Sequence, residues 1–256
     1  MVRESYLHPA ETFATNVTGT LNILLSALAT PSVQSVLVIT TDKVYRNFER
    51  LEPYREDDPL GGDDPYSASK ACAEIVTNCI RKSFGRLDFK ITTARSGNVL
   101  GGGDIARDRL LPDLIESFSA GRQAVLRYPH AVRPWQHVLD PLRGYLLVVD
   151  AHLSGRSVPT LNFGPSPDEL MTVREVAELA ACERGDRASV HIDVSGGQPH
   201  EAGLLLLDST RAFDEVGWQP SISTQDAIAR TIAWHRATQR GWSARDAMDD
   251  DISSFG

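Results

Sequence analysis

Apolar positions along the chain alternate between helical spacing and short continuous runs. Residues 11–30 place apolar side chains three and four residues apart, which predicts an amphipathic helix. Residues 35–41, SVLVITT, form a nearly continuous β-branched run that is typical of a strand buried on both faces. The same two patterns recur at residues 65–84 and 89–94. Helix, strand, helix and strand in this order predict a parallel sheet with crossover helices.

The pattern is less regular beyond Gly97, where helices and strands are short. We predict helices at residues 110–120, 140–154, 172–183 and 224–239, and strands at residues 124–127, 161–163 and 204–207. The final residues, MDDDISSFG, are acidic and are expected to be frayed.

Composition and charge narrow the class of protein. The chain is 41% hydrophobic and 23% charged, which is globular, and its net charge of −8 argues against nucleic acid or anionic lipid as a partner. No stretch approaches the roughly 18 apolar residues of a membrane span, and the start has no signal-peptide core. The three cysteines lack metal-ligand spacing, so we expect no metal site and a reducing, cytoplasmic location.

Two polar motifs are candidates for chemistry. Tyr66 and Lys70 lie one helical turn apart and share a face. A free tyrosine has a pKa of about 10. A neighbouring ammonium stabilises the phenolate and lowers this pKa, so that the tyrosine can act as a base. Alone, this spacing also fits a solvated helix face. Thr41-Asp42-Lys43, however, follows the first predicted strand, and the carboxyl ends of parallel strands hold the sites of α/β sheets; the other interpretation of Thr41 and Asp42 is a turn cap.

Longer segments carry a family resemblance. TTDKVYRN, GGDDPYSASKACAE, ARSGNVLGGGD and PHAVRPWQHVLDPLRGYLLV occur in this order, and together they resemble the extended short-chain dehydrogenase/reductases. The resemblance runs from residue 2 to the last predicted helix and is most specific at residues 63–70 and 130–139. Within this superfamily the chain is most similar to the CDP-glucose 4,6-dehydratases, because Lys43 stands where the dTDP-glucose enzymes have glutamate.

The resemblance implies a fold and a division into domains. We expect an α/β protein with a partial Rossmann-type parallel sheet, flanking helices and a small α/β C-terminal substrate-binding domain. Residues 1–97 correspond to the C-terminal half of an NAD-binding Rossmann domain that carries the catalytic residues, and segments around 130–165 return to it. Residues 98–256 mainly bind the sugar nucleotide.

The resemblance also implies a reaction: conversion of CDP-glucose to CDP-4-keto-6-deoxyglucose with NAD as cofactor. Tyr66, assisted by Lys70 and Thr41, takes the C4 hydroxyl proton during oxidation. Asp42 then protonates the departing C6 hydroxyl, and Lys43 takes the C5 proton. The two roles conflict, because Lys43 must be neutral and a neighbouring ammonium favours the charged form of Asp42. A water relay or another division of labour stays open.

Binding residues follow from the same resemblance. The residues expected at NAD are Tyr66, Lys70, Arg95 and Ser96, and those expected at the substrate are Asn98, Arg109, Arg133 and His200. Asn16 is expected to support the active site through backbone or water contacts, while Trp135 and His137 are interpreted as packing and structural residues. A lone arginine is more often a surface residue, and Asn98 also suits a turn. Relatives often dimerise through the two helices flanking the active-site strands, so a homodimer is an open expectation.

The sequence contains no G-x-x-G-x-x-G motif for the NAD pyrophosphate. The run at residues 101–103 does not open a helix directly, as a pyrophosphate-binding turn must. We therefore expect a family member without the first half of its Rossmann domain. Two alternatives remain: another sugar-nucleotide epimerase or dehydratase, and a truncated, catalytically inactive protein that binds a sugar nucleotide.

Overall fold

The computed structural model describes residues 2–84, 89–126, 128–185, 188–192 and 203–255. The α-helices are α1 Val2–Leu7, α2 Pro9–Phe13, α3 Gly19–Leu28, α4 Pro65–Ser83, α5 Leu110–Ser119, α6 Leu139–Leu153, α7 Val173–Arg184, α8 Thr210–Val216, α9 Thr224–Gln239 and α10 Ala244–Ser253. The strands are β1 Ser35–Ile39, β2 Lys90–Ser96, β3 Asn98–Leu100, β4 Ala124–Leu126, β5 Val132–Arg133, β6 Trp135–His137, β7 Leu161–Phe163, β8 Met171–Thr172 and β9 Val190–Ile192. Of these described helices, none is both long enough and apolar enough to cross a membrane.

The first of two compact units contains the parallel sheet. It comprises Met1–Gly97, Pro141–Gly164 and Leu205–Gln219. Its strands lie in the order β1, β2, β7, and both pairings are parallel. Helix α4 joins β1 to β2, and α6 precedes β7, so parallel neighbours are connected through helices as the sequence pattern predicts. The prediction of an α/β fold with a parallel sheet and flanking helices is confirmed.

The central strand β2 separates two apolar clusters of this unit. Ile91 packs with Leu24 of α3 and Ile80 of α4. Ala94 packs in another cluster with Val148 of α6. Since residues three apart on a strand point to opposite faces, helices cover both faces of β2. This double burial explains why its sequence is a continuous rather than an alternating run.

The N-terminal helix differs from the single helix predicted at residues 11–30. A π-helical segment, Ala14–Thr18, lies between α2 and α3. Its wider turns interrupt the three-and-four spacing, so the predicted apolar face is not continuous. Leu24 is fully buried, whereas Phe13 and Leu25 from the same predicted face are 37% and 43% exposed.

The second unit comprises Asn98–Asp140, Pro165–Leu204 and Pro220–Gly256. Its strands form three short pairs: β3 with β6 and β4 with β9 are parallel, and β5 with β8 is antiparallel. Helices α5, α7 and α9 pack around an apolar cluster that includes Leu114, Val176 and Ile228. This unit is therefore also of the α/β type.

Two local predictions are wrong. Residues 204–207 do not form a strand, and Leu204 and Leu207 make isolated bridges to Val132 and Tyr54. The acidic end is helical as α10, because Ser243 caps its first turn by accepting from the N–H of Asp246. The guanidinium of Arg230 holds this helix at the carboxylate of Asp251, 2.8 Å away. An ion pair with a residue 21 positions earlier is not visible as a local pattern.

Candidate active site

Thr41, Asp42 and Lys43 form one capped turn just beyond β1. The chain leaves β1 at Ile39 and enters a 3₁₀ turn at Asp42–Val44. The Thr41 hydroxyl donates to Oδ1 of Asp42 at 2.9 Å and accepts from the N–H of Lys43 at 3.4 Å. Thr41 and Asp42 are buried, and Lys43 is half-buried. The structure therefore brings the predicted triplet together at the carboxyl end of a parallel strand, and it shows that Thr41 is also the turn cap.

Tyr66 lies in the first turn of α4, which a cap and a glycine hold in place. Asp64 accepts from the N–H of Ser67 at 3.0 Å, and Pro65 occupies the first helical position. Gly62 has a φ of +123°, and a Cβ there would lie 2.6 Å from the backbone nitrogen of Ala68. Because only glycine fits this close approach, the loop before α4 sets where the helix begins.

Lys70 reaches back to the end of β1. Its ammonium donates to the carbonyl oxygen of Ile39 at 3.0 Å. Burial lowers the pKa of Lys70, and the nearby charge of Glu74 opposes that shift. Helix α4 also packs against the Asp42–Val44 turn. Helix α4, which carries Tyr66 and Lys70, therefore meets the Asp42–Val44 turn at the same end of β1.

Asn16 supports the start of α4 through a side-chain relay. Its amide donates to the hydroxyl of Ser69 at 2.9 Å, and that hydroxyl donates to the carbonyl of Tyr66 at 2.8 Å. The N–H of Tyr66 donates to the hydroxyl of Ser5 at 3.1 Å. Asn16 lies in the π-helical segment, a distortion that is frequent at functional sites. Sequence reasoning named Asn16 but missed Ser5 and Ser69, since isolated serines give no distinctive pattern.

Arg95, expected at NAD, has its guanidinium inside the first unit. It is 4% exposed, and two of its nitrogens donate to Glu74 at 3.0 Å each. A third nitrogen donates to the Tyr45 hydroxyl at 2.8 Å and to the Glu56 carbonyl at 3.0 Å. Burial alone would lower the pKa of Arg95, but the hydrogen bonds and charges of Glu74 and Tyr45 together outweigh it and leave the pKa raised. A contact of Arg95 with NAD stays a prediction. Because the guanidinium is engaged in these hydrogen bonds, such a contact would be made mainly by the Arg95 backbone.

Ser96, the other residue expected at NAD, is also buried. Its hydroxyl forms a 2.6 Å hydrogen bond with the hydroxyl of Tyr145 on α6. Burial raises the pKa of Tyr145. The side chain of Ser96 therefore ties β2 to α6, and its cofactor contact stays a prediction.

Sequence reasoning missed Glu74, which is the centre of a buried hydrogen-bond network. Besides Arg95, its carboxylate accepts from the hydroxyls of Thr40 at 2.5 Å and Thr93 at 2.7 Å. The signal was available, because Glu74 falls three residues after Ala71 on the inward stripe of α4. A carboxylate in such a stripe needs a buried partner.

Three of the four residues expected at the substrate are described by the structure, and all three lie in the second unit. Asn98 opens β3 and pairs with Trp135. Arg109 precedes α5, and its exposed guanidinium lies 2.8 Å from the carboxylate of Asp104. Arg133 is buried in β5 and donates to the Val132 carbonyl at 3.0 Å. His200 lies outside the described residues. Substrate contacts of all four stay predictions.

Trp135 and His137 are buried in the second unit. The Trp135 indole donates to the carbonyl of Met171 at 3.1 Å. His137 is fully buried, with Nε2 3.5 Å from the carboxylate of Asp251, and burial lowers its pKa. These contacts are structural, in agreement with the interpretation from sequence. Over the described parts of the chain, no group of three or more His, Cys, Asp or Glu side chains is arranged to hold a metal ion.

Comparisons with known proteins agree with this geometry. The CDP-glucose 4,6-dehydratase of Salmonella typhimurium is 40% identical over 263 residues, which cover 100% of this chain and 73% of that protein. The dTDP-glucose 4,6-dehydratase of Streptomyces griseus is 31% identical, with 94% of this chain and 70% of its own length covered. DesIV, a dTDP-glucose 4,6-dehydratase from Streptomyces venezuelae solved with NAD bound, matches with a TM-score of 0.81 at 27% identity, over 95% of this chain and 72% of its own.

These relatives confirm the resemblance noted from the motifs. The family model described as GDP-mannose 4,6 dehydratase matches residues 1–231. This match spans well over half of the sequence. The chain belongs to the GDP-mannose 4,6-dehydratase family.

Proposed function

We propose that this chain is an NAD-dependent sugar-nucleotide 4,6-dehydratase that converts CDP-glucose to CDP-4-keto-6-deoxyglucose. One observation carries the proposal: the ammonium of Lys70 is bound at the end of β1, directly before the Thr41–Lys43 triplet and one helical turn after Tyr66. Lys43 favours CDP-glucose over dTDP-glucose as substrate. The higher identity to the CDP-glucose enzyme, 40% against 31%, supports the same choice.

The first unit offers donors that fit the nicotinamide ribose of NAD. An ammonium has three N–H donors, and the carbonyl of Ile39 takes one of those of Lys70. The other two N–H groups of Lys70 lie at the carboxyl end of β1, where parallel sheets bind dinucleotides. Ribose hydroxyls at this position can accept hydrogen bonds from them. The sequence contains no G-x-x-G-x-x-G, so we assign the pyrophosphate to no residue of this chain.

The acid–base steps are divided among five side chains. Bound NAD supplies the hydride acceptor for C4 and the hydride donor for C6. Tyr66 takes the proton of the C4 hydroxyl, and the nearby ammonium of Lys70 stabilises its phenolate. Thr41 orients that hydroxyl. The ketone at C4 acidifies the C5 proton, which Lys43 removes as Asp42 protonates the C6 hydroxyl and water leaves. Lys43 then returns its proton to C5 as C6 receives hydride, and the proton taken by Tyr66 replaces, through solvent, the one that Asp42 gave.

A binding and turnover experiment tests this proposal. NAD and then CDP-glucose are titrated into the purified chain by calorimetry, and the 4-keto product is assayed. We expect both to bind and product to form, with Tyr66→Phe lowering turnover by about 10²–10⁴-fold because it removes the base. Tyr6→Phe is a matched control, since Tyr6 is 49% exposed on α1. A folded chain that binds no NAD, or that acts on dTDP-glucose but not CDP-glucose, would contradict the proposal.

A second candidate is a sugar-nucleotide-binding protein without turnover. The absence of a glycine-rich pyrophosphate motif from the sequence favours it. Binding of CDP-glucose with no product at saturating NAD would support this candidate. Product formation excludes it.

We further propose that the chain acts as a homodimer in the cytoplasm. Helices α3 and α4 flank the sheet and expose Ile23 and Ile75, which are 66% and 58% accessible. Exposed apolar side chains on neighbouring elements favour contact between copies. The described cysteines are free thiols, which fits a reducing compartment. Sedimentation at micromolar concentration should show a dimer that Ile75→Glu dissociates, and a monomeric wild-type chain would contradict this.

A further inference from the structure

The turn Asp42–Val44 contains the proposed acid Asp42 and the proposed base Lys43, and we call it the acid–base turn. The residues on both sides of this turn are bonded to the same buried ion pair. Thr40 immediately precedes Thr41, and its hydroxyl donates to Oε1 of Glu74 at 2.5 Å. Tyr45 ends the turn, and its hydroxyl accepts from Nη1 of Arg95 at 2.8 Å. Glu74 and Arg95 are themselves joined by two hydrogen bonds of 3.0 Å. The residues that flank the turn therefore converge on one carboxylate–guanidinium pair.

This pair is held in a single geometry by its surroundings. Glu74 and Arg95 are each 4% exposed, so water does not compete for their hydrogen bonds. The hydroxyl of Thr93 donates to the second carboxylate oxygen at 2.7 Å, and the carbonyl of Glu56 accepts from the guanidinium at 3.0 Å. A buried pair with its remaining donors and acceptors satisfied resists rearrangement, because moving either charge leaves the other uncompensated.

Tyr45 is anchored beyond its contact with Arg95. Its hydroxyl donates to Oδ1 of Asn162 on β7 at 2.7 Å, and its ring stacks on Tyr54 with centroids 5.1 Å apart. Backbone bonds hold the same stretch, since the N–H of Gly61 donates to the carbonyl of Val44 at 2.8 Å. The far end of the turn therefore has little freedom to move.

We propose that Glu74 and Arg95 are positioning residues that hold both ends of the acid–base turn, through Thr40 and Tyr45. The catalytic meaning of this proposal rests on the proposed dehydratase function. Acid–base transfer is sensitive to displacements of about 1 Å, which can cost about 10²-fold in rate. The pair acts through Thr40 and Tyr45, and its contribution is the geometry of Asp42 and Lys43.

Two variants each remove one hydroxyl and keep the shape of the side chain. Thr40→Val deletes the hydroxyl that reaches Glu74. Tyr45→Phe deletes the hydroxyl that bonds both Arg95 and Asn162. Thr92→Val is the matched control: Thr92 is a fully buried threonine of β2, and its hydroxyl donates to the carbonyl of Val158, away from the turn. Thr40→Ser keeps the hydroxyl and should restore wild-type behaviour.

Amide hydrogen exchange and steady-state kinetics are measured on all variants. We expect exchange at residues 41–45 to accelerate at least about tenfold in Thr40→Val and Tyr45→Phe, because the turn opens locally, and to stay unchanged in Thr92→Val and Thr40→Ser. We expect kcat to fall about tenfold or more with KM for CDP-glucose within about twofold, since placement of the acid and base acts on the chemical step.

The two readouts separate this proposal from the proposed function. If the wild-type chain makes no 4-keto product, the dehydratase function fails, and hydrogen exchange still decides whether the ion pair holds the turn. Unchanged exchange in both link variants, or equal acceleration in Thr92→Val, overturns the proposal. Accelerated exchange with unchanged kcat in an active enzyme overturns its catalytic consequence.

Discussion

The two units of this protein are built around different kinds of interior. The first distributes its described apolar residues over three clusters and buries the Glu74–Arg95 pair with them. The second packs α5, α7 and α9 around one larger apolar cluster that includes Leu114 and Ile228. Hydrogen-bonded pairs are directional and specify one arrangement, whereas apolar packing tolerates volume-conserving changes. The unit with the acid–base turn therefore has the more directional interior around its site.

The largest stability effect should come from the buried ion pair of the first unit. Glu74→Ala leaves the guanidinium of Arg95 buried without its counter-charge, which costs about 3–5 kcal/mol. Urea unfolding followed by circular dichroism measures the loss. Arg174→Ala is the control, because the Arg174–Glu178 pair is exposed and contributes within about 0.5 kcal/mol. A loss below about 1 kcal/mol for Glu74→Ala would show that this ion pair contributes little to the stability of the first unit.

The apolar interior of the second unit should respond through a cavity. Leu114 is 1% exposed, so Leu114→Ala removes packed methyl groups and costs about 3 kcal/mol. Urea unfolding followed by circular dichroism measures this loss. The substitution Ile105→Ala, at a position that is 88% exposed, should change the free energy of unfolding by less than about 0.5 kcal/mol. Equal losses for both substitutions would contradict the assignment of this core.

In the first unit, a pH effect on stability should come from His152. The imidazole is 3% exposed and bonds the hydroxyls of Ser35 at 2.7 Å and Thr92 at 2.9 Å. Burial, together with the charge of Lys90, lowers the pKa of His152 below its usual 6.5. Below about pH 6.5 the unfolded chain then binds a proton that the folded chain does not. The free energy of unfolding therefore decreases as the pH is lowered, by up to about 1.4 kcal/mol per pH unit.

The measurement compares free energies of unfolding between about pH 7.5 and pH 5.5, on either side of the ordinary histidine value. His152→Gln should show a shallower acid slope than the wild type. Parallel slopes for wild type and His152→Gln would disprove the role of His152.

The smallest effect compares two helix caps. In the second unit, Thr172 accepts from the N–H of Glu175 at 3.2 Å, and Thr172→Ala should cost about 1 kcal/mol of stability. In the first unit, Asp64→Ala removes the cap of α4 at a similar cost, but it should also lower kcat because Tyr66 lies in that first turn. Thermal unfolding and product formation are measured for both. A fall in kcat for Thr172→Ala equal to that for Asp64→Ala would contradict the special role of α4.

Local sequence patterns determined most elements and the position of the acid–base motifs. Helix α9 occupies the predicted residues 224–239, and β1 ends at Ile39, inside the predicted run of residues 35–41 and two residues before Thr41. These predictions depend on side-chain spacing within one element, and helical and strand periodicities are legible at that range. The family resemblance then assigned roles to Tyr66 and Lys70 that spacing alone left open.

The tertiary structure alone decided which side chains meet across the chain. Glu74 pairs with Arg95 from a distance of 21 positions, and Tyr45 bonds Asn162 from 117 positions away. It also brought Leu205–Gln219 into the first unit, although the sequence analysis had assigned residues 98–256 mainly to the other region. No periodicity encodes such contacts, because they form only when separate elements pack and each buried charge requires a partner. The guanidinium of Arg95, which the sequence predicts at the cofactor, is thereby bonded to Glu74 in the interior of the first unit.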